Sequence, residues 1–480
     1  MTNLSDLFPA GAGKQVSFVA SGTLSNGQAV ALKTDGTVAA ISAQVGAESV
    51  FDSNTTYLTA TVYDSNSNKI VVTYGDGGNS FYGTAVVGTV SGTSISFGTA
   101  VVFQSLSTDE ISAVYDSTNG KVVVSYREAA SSLSGRAIVG TVSGTSISFG
   151  TETVFESGDT TYTSAVYDST NGKVVIAYSD GGNGQYGTAI VGTVSGTSIS
   201  FGTAAVFESA DSNYISAAYD STNNKVVISY QDDANSTFGT AVVGTVSGTS
   251  ISFGTPVVFN AAGTYFVSSS FDDNANKVVI SYRDSGNANY GTSIVGTVSG
   301  TSISFGTSVV FENALTNYIS STFDSNLNKV VIAYSDSGNS NHGTSVVGTV
   351  SGTSISFGNA VTFNAANTAY ISATYDSTNN KVVIAYRDSG DGNKGTSVVF
   401  DVAGNPSSNF IGITDAAISS AASGNVTIKG GIAVNGLSSL TPGSDYYVQA
   451  DGTISTVSTG SAVKIGRAMS ATSINLEYQS

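Results

Sequence analysis

The sequence contains no cysteine, which removes disulfides, thiolate zinc sites and cysteine nucleophiles from consideration. It has no tryptophan, a residue common beneath sugar rings, and one histidine, His342. A single histidine cannot build a multi-histidine metal site, and any triad would depend on it alone. Charge is scarce, at 11% of residues, and lopsided: 34 acidic against 17 basic residues leave a net −17. So acidic a chain is repelled by nucleic acid and by anionic membranes, and neither is expected as a partner. No apolar run reaches the length of a membrane span. The opening residues, Met1 to Pro9, have neither a basic nor an apolar region. No secretory signal is read there, and the chain is expected to be made soluble in a cytoplasm.

What is abundant is glycine, 55 of 480 residues. With the plentiful Ser, Thr, Asn and Val it suits short strands and tight turns, not long helices.

The dominant feature is a repeat. The string Gly-Thr-Val-Ser-Gly-Thr-Ser-Ile-Ser-Phe-Gly starts at Gly88, Gly140, Gly192, Gly244, Gly296 and Gly348, always 52 residues apart. Asp64, Asp116, Asp168, Asp220, Asp272, Asp324 and Asp376 form a second column with the same step, and Lys69 to Lys381 a third. Seven units are present. Unit four shows four strand-like segments: Tyr214–Tyr219, Lys225–Tyr230, Thr240–Val246 and Thr249–Phe253, the last running on to Phe259. Each is β-branched or aromatic and is bounded by Gly, Asn, Asp or Ser. Four strands per repeat predict an all-β fold, a seven-bladed β-propeller of four-stranded blades.

The ends of the array predict closure. Ile41 to Phe51 matches the fourth-strand pattern of Ile199 to Phe207, so a spare strand precedes the first unit. The seventh unit stops after its third strand, Gly395 to Phe400. In a ring the N-terminal segment completes the last blade, a velcro strand that removes two open edges. Strand one carries Ser112, Ser164, Ser216, Ser268, Ser320 and Ser372, with Ala60 in blade one. Small residues there place strand one nearest the axis.

The two faces of such a ring differ. Loops 1–2 and 3–4 scarcely change between units, whereas loops 2–3 and 4–1 vary. The last position of loop 2–3 holds Tyr82, Ser134, Tyr186, Phe238, Tyr290, His342 and Lys394. The segment after loop 4–1 holds Leu58, Glu110, Tyr162, Tyr214, Phe266, Tyr318 and Tyr370. The aromatic members of both columns, with His342 and Lys394, are the candidate ligand-binding rim, because recognition concentrates on loops carried by a rigid scaffold. The bland alternative is that these rings pack between blades.

No catalytic set stands out. The strand-two acids Asp76, Glu128, Asp180, Asp232, Asp284, Asp336 and Asp388 recur with the ring, which suits a turn or a blade-to-blade hydrogen bond better than a glycosidase pair in two distinct environments. Sialidases are also propellers but need an arginine cluster; the loop arginines here are Arg127, Arg283 and Arg387 only. The Asp64-Ser-Asn-Ser-Asn68 type of loop spaces oxygens as calcium ligands do, yet lacks a bidentate Glu, and a hairpin turn explains all seven copies. No cofactor and no metal is expected.

Outside the repeats lie 1–40 and 405–480, with the propeller spanning 41–404. The head reads as a hairpin around Asp35-Gly36, and the tail as short strands, so together they predict one small β-barrel or sandwich. The tail segments Leu440-Thr-Pro-Gly-Ser-Asp-Tyr-Tyr-Val, Asp451-Gly-Thr-Ile-Ser and Lys464-Ile-Gly-Arg-Ala-Met-Ser-Ala-Thr resemble a β-module of tailed-phage virion proteins, found in tail fibres and capsid fibre or decoration proteins. Asn26-Gly-Gln-Ala-Val-Ala-Leu resembles the start of that module, and the repeats are similar to those of marine phage fibre-like proteins. The resemblance implies a non-enzymatic virion surface protein, oligomeric (a trimer being one option), held to other virion proteins through 1–40 and 405–480. The propeller would then face a host-surface glycan or protein. The alternatives are a mainly structural capsid decoration protein and, less favoured, a polysaccharide hydrolase.

Overall fold

The computed structural model describes residues 14–477, apart from 22–23, 34–35, 42, 403–409, 449–451, 457 and 459–462. The chain divides into two compact units: 45–400, and one made of 1–44 with 401–480.

In unit 45–400 every repeat folds as an antiparallel sheet. The fourth uses the far half of Ala205–Asp220, then Lys225–Asp232, Phe238–Ser247 and Ser250–Phe253. Among the described residues the strands pair in seven such four-stranded groups joined in a closed ring, a β-propeller. Closure follows the expected route. Lys394–Asp401 pairs with Ser49–Asp64 through Ser397↔Ser49, Thr396↔Val50 and Gly395↔Asp52.

One connection differs from the sequence reading. The segment expected as loop 4–1 is continuous extended chain. Ala205–Asp220 starts against the third strand of the preceding sheet (Ala189↔Ala205) and ends against its own second strand (Asp220↔Lys225). A single sixteen-residue strand thus crosses between blades. It changes partner between Asp211 and Ser212, and its register against the second strand breaks just after, between Asn213 and Ser216.

Strand one is innermost, and its serines bind neighbouring blades. Ser164 Oγ accepts from the Ala217 N–H at 3.0 Å, Ser216 Oγ from Ser269 N–H at 2.9 Å, and Ser372 Oγ from Thr61 N–H at 2.9 Å. The same bond joins Ser112 to Ala165, Ser268 to Ser321 and Ser320 to Ala373. A backbone donor at the crowded axis is thereby satisfied by a side chain small enough to fit there.

Farther out, blades interlock through aromatic pairs. Tyr230 is fully buried, and its ring lies 5.1 Å from Phe207, which belongs to the preceding repeat; Phe207 also meets Phe253 at 5.7 Å. Equivalent Tyr–Phe contacts recur at every blade junction, including Phe51 with Tyr74 at the closure. The Phe207 ring lies on Gly187, where a Cβ would come within 2.3 Å of it. That is why a glycine follows the variable rim column in each unit. The uniform loops behave as predicted: Asp64 Oδ1 accepts from the Asn66 and Ser67 N–H groups, and the closing Asn68 is left-handed.

The unit formed by the chain ends contains two five-stranded sheets. One orders Gln15–Val19, Ser423–Ile428, Phe410–Thr414, Ala29–Leu32 and Val38–Ala40; the other orders Ile432–Ala433, Ser473–Leu476, Val463–Ser470, Asp445–Val448 and Ile454–Ser455. They share a core that includes Ala29, Phe410, Ile413, Val448, Ile465 and Ile474, as a sandwich requires. The expected head hairpin is present as Ala29–Leu32 paired with Val38–Ala40; Asp35 of its turn lies outside the described residues, as does Asp451 of the tail.

Candidate binding rim

The varied rim is built on turns with fixed chemistry. At the end of strand two Asp76 Oδ1 accepts from Gly78 N–H, Asp284 from Gly286, Asp336 from Gly338 and Asp388 from Gly390. Glu128 caps the same turn in blade two through Ala130 and Ser131. These carboxylates accept from backbone donors of their own turn, the first of the two uses that their recurrence allowed.

The chain then passes through left-handed positions before strand three begins. The last of them is Phe81, Leu133, Gln185, Thr237, Asn289, Asn341 and Asn393, with φ between 55 and 64°. The predicted column follows at once: Tyr82, Tyr186, Phe238, Tyr290, His342 and Lys394 each open strand three and are half-buried. Their backbones are fixed on both sides; Tyr186, for example, pairs with Asp180 and with Asp211 of the next repeat.

The second predicted column is drawn together at the axis. Rings of Tyr162 and Tyr214 are 5.2 Å apart, Tyr214 and Phe266 5.4 Å, Phe266 and Tyr318 5.3 Å, Tyr318 and Tyr370 5.2 Å. Tyr57 continues the belt, 4.8 Å from Tyr370. All seven column residues, Leu58 and Glu110 included, have φ between 45 and 52°. Bulky side chains rarely adopt that conformation, and here it falls inside the register break between strands one and two, as at Tyr214 between Asn213 and Ser216. These rings pack on one another across the blade junctions.

Blades one and two break the belt. Leu58 and Glu110 stand where the other five carry rings; Glu110 Oε2 accepts from Tyr162 N–H at 2.6 Å. Burial, reinforced by the nearby Asp109, pushes its carboxyl up to about 7. Beside it Arg127 binds Asp109 through Nε and Nη2 and reaches Asp159 through Nη1 at 2.9 Å. Between these blades lies a cavity of about 210 Å³ lined by Tyr57, Phe81, Ser107, Thr108 and Asp109. The Tyr57 and Phe81 rings meet edge-on at 6.0 Å, and Phe81 is 41% exposed. The cavity therefore combines aromatic faces, hydroxyls and an arginine-oriented carboxylate. Aromatic faces of that kind can stack on a ligand ring, and the polar groups can hydrogen-bond to it.

Sequence reasoning named neither Tyr57, Phe81 nor Asp109. One signal was available: Phe81 occupies a turn position where three blades use Asn, the residue that tolerates a left-handed backbone.

No protein-family model and no curated protein matches this chain. Solved structures do. The chain is similar to the BP39L lectin of Burkholderia pseudomallei, with a TM-score of 0.56 at 10% identity over 74% of this chain and 98% of that one. AofleA of Arthrobotrys oligospora (TM-score 0.42, 11% identity, 70% of this chain and 96% of that one) and Sqt1 of Saccharomyces cerevisiae (0.43, 11%, 79% and 100%) also match. The likeness to BP39L is one of fold. At that identity the shared property is the large ring of antiparallel strands.

Proposed function

We propose that this chain is a non-catalytic carbohydrate-binding protein of adhesin type, presenting the varied rim of its propeller to surface glycans. The observation that carries the reading is the cavity of Tyr57, Phe81, Ser107, Thr108 and Asp109, set between blades one and two, where Leu58 and Glu110 replace the rings of the axial column. The fold it shares with the BP39L lectin supports it. The mechanism is binding without turnover: the aromatic faces stack on the apolar face of a sugar, Asp109 accepts from its hydroxyls, and Arg127 holds that carboxylate in place.

A glycan array probed with the full chain and with Tyr57→Ala/Phe81→Ala tests this. Retained neutral-sugar signals for the parent and their loss in the variant are expected. Equal signals, or none for the parent, would overturn it.

The place of the protein is the second half of the proposal. The tail between Leu440 and Thr472 and the head from Asn26 resemble a phage fibre module, so the sandwich is read as an attachment unit on a virion surface. Immunogold labelling of particles, with tail or head labelled as the outcome, tests that part and separates a fibre from a capsid decoration role. Unlabelled particles would sink it.

A further inference from the structure

The three rim arginines stand at one and the same place in their blades, and only one of them is neutralised. Arg127, Arg283 and Arg387 each lie near the end of strand two, paired in register with positions 109, 265 and 369. Around Arg127 two built-in carboxylates, Asp109 and Asp159, fill the guanidinium edge. The positions equivalent to these aspartates are Tyr265 and Leu315 for Arg283, and Ala369 and Thr55 for Arg387. Among the described residues neither of these two arginines is paired with a carboxylate.

Both are instead held against the aromatic belt. Arg283 lies 4.6 Å from the Tyr265 ring centre and 4.9 Å from Phe266, and Arg387 lies 4.5 Å from Tyr370. Arg283 donates through Nη1 to Asn317 Oδ1. The Nε atoms of both are buried without an acceptor, whereas Arg127 Nε has Asp109. Phe266 and Tyr370 are separated by Tyr318 alone, so the two cations share one mouth of the ring. A half-buried guanidinium with an unmet donor is relieved by an anion, and its fork matches a carboxylate. A stacked planar cation also loses little freedom when it binds.

We infer that Arg283 and Arg387 form an acidic-sugar site at the axial mouth of the varied rim, taking the carboxylate of a uronic-type residue while the belt offers its ring a stacking face. This rests on the carbohydrate-binding reading and deepens it: the neutral-sugar cavity uses Phe81 and Asp109, this site the two arginines, and the two adjoin where Tyr57 meets Tyr370. In so acidic a chain, selection for an anionic ligand does not come from net charge, and these two side chains supply it locally.

Calorimetry of the full chain with trigalacturonate and with its methyl ester tests the inference. The acid is expected to bind about tenfold or more tightly than the ester. Arg283→Gln/Arg387→Gln should erase that preference, and Arg467→Gln, a surface change in the other unit, should keep it. Equal affinity of acid and ester, no binding of the acid, or a preference that survives the double variant would overturn the site. If the double variant does not fold, salt dependence of the parent decides. Acid affinity should fall steeply between about 0.05 and 0.5 M salt while ester affinity stays level, and parallel curves would overturn the inference. Neutral-sugar binding lost through Phe81→Ala, a change away from Tyr370 and the two arginines, reports separately on the broader reading.

Discussion

Arg127 grips Asp109 with a two-pronged contact, Nε to Oδ1 at 2.7 Å and Nη2 to Oδ2 at 2.8 Å. The two residues face each other in register on adjacent antiparallel strands, and the third guanidinium nitrogen crosses to Asp159 of the next repeat. One side chain therefore ties a blade internally and to its neighbour. Arg127→Met should cost about 2 kcal/mol, because it leaves Asp109 and Asp159 unpaired beside Glu110. Urea unfolding of parent and variant at pH 7 checks this, and no loss would mean the carboxylates find solvent unaided.

The axial serines predict effects of both signs. Ser216→Ala should lose about 1 kcal/mol, since the Ser269 N–H then lacks its acceptor. Ala60 is the one column member without a hydroxyl, so Ala60→Ser should gain stability of up to about 1 kcal/mol by supplying Ala113 with the missing bond. Melting temperatures of the two single variants give the comparison.

Phe81 opposes stability to binding. Its φ of 60° suits Asn, as at Asn289, Asn341 and Asn393. Phe81→Asn is expected to stabilise by about 0.5 kcal/mol while weakening neutral-sugar binding several-fold. Denaturation together with a glycan titration of the same sample shows whether the two move in opposite directions.

Glu110 makes stability depend on pH in a known direction. Its carboxyl is raised from 4.5 to about 7 in the folded chain, so between those values the folded state holds a proton that the unfolded state has lost. The ionised form is the costly one. The penalty is absent below about pH 4.5, grows as pH rises to 7 and is complete above it. Glu110→Gln should therefore stabilise the chain at pH 8, by about 1 to 3 kcal/mol, and change little at pH 4.5. Unfolding of both proteins across that range measures the difference, and a constant offset would contradict the assignment.

In the terminal unit two backbones meet closely. A Cβ on Gly436, itself at φ 69°, would lie 2.5 Å from the backbone of Asn26 and Gly27. Gly436→Ala should cost that unit about 2 kcal/mol or more, visible as an early thermal transition that spares the propeller.

Much of this was legible in the chain itself. A 52-residue step without insertions, strand-like segments bounded by turn residues, and a spare strand at one end with a missing one at the other determine a closed β ring, because unpaired edges are costly and a ring has none. The Asp and Asn of the uniform loops could be assigned to turns because their hydrogen bonds are local, within three residues. The serine column was placed at the axis by size alone, but its hydrogen bonds to the next blade join residues 53 apart and appear only when blades stand side by side. The functional surface is of that second kind. Tyr57 and Phe81 belong to one repeat and Asp109 to the next, and Arg127, Arg283 and Arg387 look alike in sequence until the residues paired and packed against them are known. Repetition determined the scaffold, since identical units solve the same local problem each time; the sites were decided by tertiary structure, since they arise where neighbouring units differ.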